Sequence, residues 1–376
     1  MFVNEYILSY ENVIYRLDSL CKNYSNIITK NEPIGYTSFG FPIDYYKIGN
    51  GSKHVVLVAA THGCEIVTVT FLLEFIYTLI NENKKYSNYL NEYSFHIIPI
   101  LNPEGYIISS SNVLYNTKMM NKNVLENYSK KYLELYEQDD LNAEKGIKVE
   151  KLYKDLMITS SDFILYSNLR NGLNKILKEC KLDNRVLPVW SSNGIGIDIN
   201  ANSIHEFQNM KTLRDKSKYG KLRYNDIPVN QPSPHGYPGN EIFDRRCPEN
   251  ISLYNFVNSL YSKRNLKLFI SYHSTGGEIY GYPNSKLATR NQVDTILDSL
   301  NYYSHFTKYT PINEKLKYGV MDYYRISLEN TATLTVELSN KSGNPIGPFS
   351  NLQDLGKEFT DNINSIFYTL DCINKK

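Results

Sequence analysis

The chain has 376 residues, enough for one large α/β domain or two ordinary ones, and either could bury a sizeable core. Its 41 basic and 39 acidic side chains nearly cancel, and a net charge of +2 without a basic stripe argues against a nucleic-acid partner. The cysteines are scattered and lack a C-x-x-C spacing, which favours a reduced, cytoplasmic location. We see no secretory signal and no apolar run long enough to span a bilayer, so we expect no membrane partner.

Hydrophobic periodicity predicts alternating helices and strands in the first hundred residues. A helix is expected over residues 6–23, and a strand, a turn and a second strand over 35–47. A strand rich in Val and Leu follows at 54–60, and a long apolar helix at 66–80. Another buried strand at 94–101 ends at an Asn-Pro-Glu-Gly stop. This alternation is typical of an α/β core.

The composition changes between about residues 111 and 186, where Lys, Tyr, Glu and Asn dominate and helical periodicity recurs. No cluster of ligand-type residues occurs there. We interpret the segment as a helical insertion on the α/β core, with a role as lid, specificity wall, dimer surface or simple packing left open. The core resumes at Trp190, followed by a turn-rich segment at 194–202 and a Pro/Gly-rich loop at 231–239.

The last part of the chain predicts a helix at about 248–263, a strand at 266–272 that ends at His273, and a strand at 332–338. An amphipathic C-terminal helix closes the chain. The fold class predicted is α/β, with a mixed, mostly parallel central sheet flanked by helices. We expect a single domain over residues 1–376.

Ligand-type side chains follow two of the predicted strands. His62 and Glu65 come directly after the 54–60 strand, and His273 ends the 266–272 strand. Ligands in open α/β sheets bind beyond the carboxyl ends of strands, and two imidazoles with a carboxylate are a typical zinc set. Glu337 lies in a strand otherwise made of Thr and apolar residues, where an unpaired carboxylate is costly. Other histidines lack this context and are expected to be ordinary surface or core residues: His54, His96, His205, His235 and His305.

Each of these signals also has an ordinary structural explanation. A single His-x-x-Glu match is often a solvated helix face, and a His after a strand is often just a hydrogen-bonded residue. The order of the signals along the chain is more informative than any one of them. Two ligands follow one strand, a third follows another, and a Glu within a buried strand comes later.

This order resembles that of the zinc carboxypeptidase (carboxypeptidase A-like) metallopeptidase family. The resemblance covers nearly the whole chain except the 111–186 insertion. It is carried by segments in family order: Gly40-Phe41-Pro42-Ile43, His62-Gly63-Cys64-Glu65, Asn102-Pro103-Glu104-Gly105-Tyr106, Gly196-Ile197-Asp198-Ile199-Asn200, Ser271-Tyr272-His273-Ser274 and Thr335-Val336-Glu337-Leu338.

The resemblance implies a metal centre and a catalytic base. His62, Glu65 and His273 match the ligands of one zinc ion per chain. Bound zinc activates a water molecule and polarises the scissile carbonyl. Glu337 matches the general base, and Asp198 matches the carboxylate that orients a ligand imidazole through its other nitrogen.

The substrate-binding residues match the family less closely. Asn200 matches a residue that contacts the substrate's terminal carboxylate, but the Arg that usually follows is replaced by Ala201. That Arg gives a bidentate grip on a C-terminus, so an altered specificity is expected. Tyr318 is the nearest match to the family's mobile tyrosine.

The family's oxyanion-stabilising cation is missing from its usual place. Trp190 is followed by Ser191, Ser192 and Asn193, which offer only hydroxyls and an amide. Losing one oxyanion donor can cost on the order of 100- to 1000-fold in turnover. Arg170 and Arg185 are the candidates to replace it.

A finer resemblance is to bacterial γ-D-glutamyl-diamino-acid peptidases, which cut cell-wall peptides. It is carried by Tyr237-Pro238-Gly239, Pro248-Glu249, the segment 273–280 and Gly343-Asn344-Pro345. The leading prediction is therefore a zinc peptidase whose partner is a small peptide, with a murein peptide as the candidate. Two alternatives stay open: a zinc deacylase of N-acyl amino acids, which shares the His-Gly-x-Glu start, and a catalytically weak zinc-containing peptide-binding protein.

Overall fold

A computed structural model describes the chain over residues 8–118, 162–182, 184–202, 230–241, 244–262, 265–281, 288–312, 319–338 and 352–375. The strands in these ranges are β1 (Ile28–Lys30), β2 (Tyr46–Ile48), β3 (Lys53–Val58), β4 (Tyr93–Ile98), β5 (Leu266–Ser274), β6 (Glu278–Tyr280), β7 (Thr310–Ile312) and β8 (Ala332–Leu338). They form one sheet in the order β1-β2-β4-β3-β5-β8-β6-β7. The four central strands β4, β3, β5 and β8 run parallel to their neighbours within that group. The pairs β1/β2, β2/β4 and β6/β8 are antiparallel.

Helices cover both faces of the sheet. They are α1 (Tyr10–Asn23), α2 (Ile66–Asn81), α3 (Ser87–Glu92), α4 (Pro103–Lys118), α5 (Asp162–Cys180), α6 (Pro248–Tyr261), α7 (Arg290–Thr307), α8 (Val320–Ser327) and α9 (Leu352–Asn374), with a short 3-10 helix at Asn184–Val189. Local sequence sets some of their ends. The Ser9 hydroxyl caps α1 by accepting from the Asn12 amide at 3.2 Å, and Thr289 and Gln292 form a capping box at α7.

The alternation of side chains along β3 divides the core into two layers. Val55 and Leu57 pack on the face covered by α1, α2 and α9, whereas Val56 and Val58 pack on the face covered by α6 and α8. Because both faces are covered, the central strands are apolar on both sides. Helix α2 is buried along nearly its whole length, which explains its continuously apolar sequence.

The sheet confirms the fold class predicted from the sequence, and several boundaries agree closely. The strand 332–338 is found as predicted. Strand β3 ends earlier than expected, at Val58, because Ala60 adopts a left-handed conformation with φ of 47°. Strand β5 runs through His273 to Ser274 instead of ending before them.

The single-domain assignment and the insertion at 111–186 remain predictions. The predicted start of the insertion lies inside α4, which continues without a break from Pro103 to Lys118. At the other end, α5 begins at Asp162. Residues 119–161, the middle of the predicted insertion, lie outside the described ranges.

The order of the strands produces a crevice at the carboxyl ends of β3 and β5. After β3 the chain continues to β4 on one side, and the later strand β5 pairs with β3 on the other side. The direction of winding therefore reverses at this pair, and such reversal points are where open α/β sheets bind ligands. His62, Glu65 and His273 all lie at this edge.

Among the helices that the structure describes, none combines the length and apolar character needed to cross a membrane.

The fold predicts a large difference between two Phe→Ala substitutions. Phe75 on α2 is fully buried and packs against the rings of Phe95 and Phe367, whereas Phe306 on α7 is 39% exposed. We expect Phe75→Ala to lower the free energy of unfolding by about 3–5 kcal/mol because it leaves a cavity. Phe306→Ala, the matched control, should change it by less than about 1 kcal/mol. Urea unfolding followed by circular dichroism measures both, and equal losses would contradict the assigned core.

Candidate metal centre

A tight loop between β3 and α2 carries His62 and Glu65. The left-handed Ala60 turns the chain, and its amide donates to the Thr68 hydroxyl at 3.1 Å. Gly63 then lies against the backbone of Gly105, where a Cβ atom would be only 2.1 Å from the Gly105 carbonyl carbon. The loop therefore depends on a residue without a side chain between the two candidate ligands.

The structure brings His62, Glu65 and His273 together. Their candidate ligand atoms all lie within 4.8 Å of one another. The Nδ1 atom of His62 is 2.8 Å from Glu65 Oε1, and the Nδ1 atom of His273 is 3.1 Å from Glu65 Oε2. The Glu65 and His273 side chains are buried, and His62 is 14% exposed. A buried carboxylate thus lies between two imidazole rings.

This carboxylate requires positive charge beside it. Burial alone would raise the pKa of Glu65, but the neighbouring His62 and His273 rings outweigh burial and lower that pKa to about 2. Burial alone would lower the pKa of His62, yet the carboxylates of Glu65 and Asp198 hold it well above its ordinary value. Ring protons or a metal cation can supply the charge that Glu65 needs.

Asp198 lies on the far side of the His62 ring. Its Oδ1 atom is 3.4 Å from His62 Nε2, the nitrogen that faces away from Glu65. The carboxylate is itself held by the backbone amides of Ala201, at 3.1 Å, and Gly236, at 2.9 Å. This geometry suits a residue that fixes the orientation of the His62 ring.

Glu337 is the neighbour of His273 across β5 and β8. The two residues are paired in the parallel register of these strands, so their side chains point to the same face of the sheet. Glu337 is partly exposed, unlike most residues of its strand. A carboxylate that can reach solvent therefore stands one strand away from a candidate metal ligand.

The predicted substrate-binding residues have mixed outcomes. The Asn200 side chain lies at the start of α8, where its Oδ1 atom accepts from the Val320 amide at 3.1 Å. Ala201 is buried. Tyr318 lies outside the described residues.

The segment where the family carries its oxyanion cation is occupied by neutral groups. The Ser191 hydroxyl is buried 3.4 Å from the Cys64 thiol. The Asn193 side-chain amide donates to the Arg246 carbonyl oxygen at 3.1 Å. Arg170 lies on α5. Its neighbour in the sequence, Leu169, packs against the Gly194 backbone. The side chain of Arg185 lies outside the described residues.

Two buried glutamates anchor the loop that carries Asp198. Glu104 accepts from the backbone amides of Phe39 at 2.9 Å and Gly194 at 2.8 Å. Glu249 lies 3.4 Å from the Asn193 side-chain amide with each of its oxygens. Burial, together with the nearby Glu104 carboxylate, raises the pKa of Glu249 to about 8. The pair therefore holds a proton at neutral pH.

His235 lies beside this centre, and its ordinary role remains a prediction. Its Nδ1 atom is 3.6 Å from Asp198 Oδ2, and its ring centroid is 6.1 Å from that of His62. A single His in a Pro/Gly-rich loop carries no periodicity, so its position depends on how the loop packs. The neighbouring Gly236 donates its backbone amide to Asp198 at 2.9 Å, a contact that the sequence alone does not reveal.

The residues present fit a zinc ion. Two imidazole nitrogens and a carboxylate oxygen are zinc ligands in many hydrolases, and here such atoms lie within 4.8 Å of one another. Glu65 Oε2 is buried and forms no hydrogen bond with any described group, and its 3.1 Å contact with His273 Nδ1 is an ion-pair contact. Buried polar atoms normally have a partner, and a bound cation would supply one for the Glu65 carboxylate.

Comparison with known proteins defines the class. A profile of the family described as zinc carboxypeptidase matches residues 14–362. The chain therefore belongs to the zinc carboxypeptidase family, whose members bind zinc and hydrolyse peptide bonds. No curated protein sequence matches it significantly.

Solved structures support the same fold. Thrombin-activatable fibrinolysis inhibitor shares 14% identity at a TM-score of 0.61, with 98% of this chain and 75% of that chain covered. Carboxypeptidase A from Helicoverpa armigera shares 14% identity at a TM-score of 0.58, with 98% of this chain and 73% of that chain covered. A metallo-carboxypeptidase from Burkholderia cenocepacia shares 12% identity at a TM-score of 0.53, with 97% of this chain and 70% of that chain covered.

The packing of Gly63 predicts that Gly63→Ala weakens metal binding. The new Cβ atom would press on the Gly105 backbone, so the loop must move and carry both candidate ligands with it. We expect zinc affinity to fall by about 10- to 100-fold, measured by competition with a chromogenic chelator. Gly276→Ala is the matched control, because a Cβ atom there meets nothing nearer than 3.4 Å. Equal zinc affinities in the two variants would contradict this account of the loop.

The buried proton on Glu249 predicts a pH-dependent stability. Between about pH 5 and pH 8 the unfolded chain loses this proton, because its pKa is near 4.5, while the folded chain keeps it. Stability must fall as the pH rises whenever the folded state binds more protons. Glu249→Gln removes this contribution, so the stability of the variant should fall less steeply with pH than that of the wild type. The difference between their free energies of unfolding should change in favour of the variant by up to about 1.4 kcal/mol per pH unit in this range. Urea unfolding at several pH values tests this, and parallel curves would contradict it.

Proposed function

We propose that this chain is a zinc peptidase that binds one zinc ion through His62, Glu65 and His273 and hydrolyses a γ-D-glutamyl amide bond in small cell-wall peptides. The observation that carries the proposal is the pairing of Glu337 with His273 across β5 and β8. This pairing places a partly exposed carboxylate beside residues that are already positioned to bind a metal ion. Zinc in this site would activate water and polarise the scissile carbonyl.

Protein residues near the metal ligands would carry out the proton transfers and orient the ligands. Glu337 takes a proton from the attacking water and delivers it to the leaving amine. Asp198 orients the His62 ring from its Nε2 side, 3.4 Å away. The fixed positions of these groups reduce the reorganisation required during the reaction.

The proposed substrate differs from the ordinary C-terminus of a protein. A bidentate grip on a terminal carboxylate needs a guanidinium after Asn200, but the next residue is the buried Ala201. The Asn200 amide oxygen is engaged by the Val320 backbone, which leaves its NH₂ group for substrate. A γ-D-glutamyl peptide, whose carboxylates lie elsewhere, is compatible with this change.

The cytoplasmic location remains a prediction from the sequence.

Glu337→Gln tests the assigned base. The substitution keeps the size of the side chain but removes its ability to accept a proton, so we expect turnover to fall at least 100-fold. Metal analysis by mass spectrometry should still find about one zinc per chain. The surface variant Glu329→Gln, on an exposed turn before β8, should retain full activity. A fully active Glu337→Gln enzyme would refute the assignment.

The substrate class is tested with defined compounds. The zinc-loaded protein is incubated with γ-D-glutamyl peptides, ordinary peptides and N-acyl amino acids, and the products are identified by mass spectrometry. Cleavage of the γ-D-glutamyl bond supports the proposal. Cleavage of N-acyl amino acids alone would indicate a deacylase, and tight peptide binding without turnover would indicate a binding protein.

A further inference from the structure

An asparagine outside the candidate ligand set lies with its side chain buried between β4 and α4. Asn102 is fully buried and comes directly before Pro103, the first residue of the helix. A primary amide has two N–H donors and one carbonyl acceptor, and buried polar groups of this kind normally have partners. The partners of Asn102 therefore show which parts of the molecule it holds together.

The side-chain nitrogen of Asn102 contacts three backbone carbonyl groups. Its Nδ2 atom is 3.3 Å from the Thr61 oxygen, 3.2 Å from the Ser191 oxygen and 3.1 Å from the Ser192 oxygen. These carbonyls belong to two separate segments, the loop after β3 and the segment after the 3-10 helix. One side chain thus joins two segments that are far apart in the sequence.

In the first segment, Asn102 holds the backbone immediately before a candidate ligand. Its own backbone amide donates to the Ala60 carbonyl at 3.1 Å, and its side chain donates to the Thr61 carbonyl. Thr61 directly precedes His62. Because one residue binds two consecutive carbonyls, it fixes the direction in which the chain enters His62.

Asn102 also acts on the backbone that follows His62. The Ser191 carbonyl that accepts from Asn102 accepts from the Gly63 amide as well, at 3.2 Å. The Asn102 Oδ1 atom accepts from the Gly105 amide at 2.9 Å, and Gly105 in turn lies against Gly63. The donors and the acceptor of this one side chain therefore hold the loop on both sides of His62.

The second segment leads to Asp198. It continues into a turn that is closed by the bond from the Asn193 amide to the Ile197 carbonyl at 2.8 Å. Asp198 follows directly, and its carboxylate is 3.4 Å from His62 Nε2. Asn102 therefore joins the loop that carries two candidate ligands to the segment that leads to the residue beside one of them.

We propose that Asn102 is a positioning residue of the metal centre and sets the placement of the His62 loop relative to the segment that leads to Asp198. The inference rests on the proposed function, because it assumes that His62 and Glu65 bind the ion. Two amide hydrogens serve three carbonyl oxygens, so the loss of this amide leaves buried acceptors short of a donor. Such acceptors are costly, and the two segments must shift to satisfy them.

The test uses Asn102→Ser. Serine retains an oxygen that can cap α4 but removes the amide that reaches the three carbonyls. Asn112→Ser is the matched control, because Asn112 is equally buried on the same helix and its amide donates within that helix, to the Ile108 carbonyl at 2.7 Å. Both variants lose a buried amide, but only the first loses contacts with the two segments.

We expect Asn102→Ser to weaken zinc binding by about 10- to 100-fold in competition with a chromogenic chelator, and Asn112→Ser to stay within about twofold of the wild type. Cobalt in place of zinc gives a signature that lower stability alone does not produce. Its visible absorption spectrum reports the ligand geometry, so it should change in Asn102→Ser and not in the control. Wild-type zinc affinity with an unchanged cobalt spectrum in Asn102→Ser would overturn the proposal.

Asn102→Asp is the second variant. It retains the size of the side chain and the acceptor for α4, but an oxygen replaces the nitrogen that faces the three carbonyls, so zinc affinity should fall at least as far. Circular dichroism shows whether each variant folds. If neither folds while Asn112→Ser does, the proposal is also overturned, because Asn102 would then support the whole fold and not the metal centre in particular.

Hydrogen exchange on the metal-free protein separates this inference from the proposed function. Peptides covering residues 58–66 and 190–198 should exchange about 10-fold faster in Asn102→Ser than in the wild type or in Asn112→Ser, because local opening becomes easier. This result supports the positioning role even if the protein binds no zinc, and unchanged exchange in both segments would refute it. Zinc binding that survives His273→Ala would instead refute the proposed ligands.

Discussion

The burial of Glu65 between two imidazole rings is the interaction on which the rest of the site depends. An unpaired carboxylate inside a protein is costly, so the chain must deliver positive charge to it from two separate segments. His62 reaches it from the same loop, and His273 reaches it from β5. The close contact of Gly63 with Gly105 and the hydrogen bonds around Asp198 hold the first of these segments in place.

Much of the fold and of the metal centre could be predicted from the sequence, because both follow local patterns. The apolar runs of β3, β5 and β8 are visible as strands, and ligand-type residues at strand ends meet at one edge of a parallel sheet. The boundary errors arise where a local conformation overrides the pattern. Ala60 is an apolar residue that looks like strand but adopts the left-handed region.

The remaining features depend on packing that no local pattern encodes. His235 lies near Asp198 because two loops, each without regular structure, pack together. Glu278 lies opposite Glu337 only because β6 is antiparallel to β8 in one particular register, and a slip of one residue would reverse its side chain. The sequence shows that these residues exist but not which of them are neighbours.

The candidate metal ligands and the residues proposed to act on the substrate lie in different parts of the fold. The candidate ligands follow β3 or lie on β5, whereas the proposed base Glu337 lies on β8 and the proposed substrate-binding residue Asn200 lies in a loop against the start of α8. This separation is compatible with the proposal that the chain keeps the family's metal centre but acts on a different substrate.

The sheet order also has a consequence for how the molecule holds together. β3 and β5 are adjacent, and Thr61 and Ser271 at their ends approach to 3.5 Å, although they are 210 residues apart in the chain. An ion held by His62, Glu65 and His273 would act as a removable crosslink that closes this long loop. The unfolded chain offers only the local pair His62 and Glu65, so such an ion binds the native state selectively and stabilises it by mass action. Chelation would then loosen the whole central sheet as well as abolish the reaction.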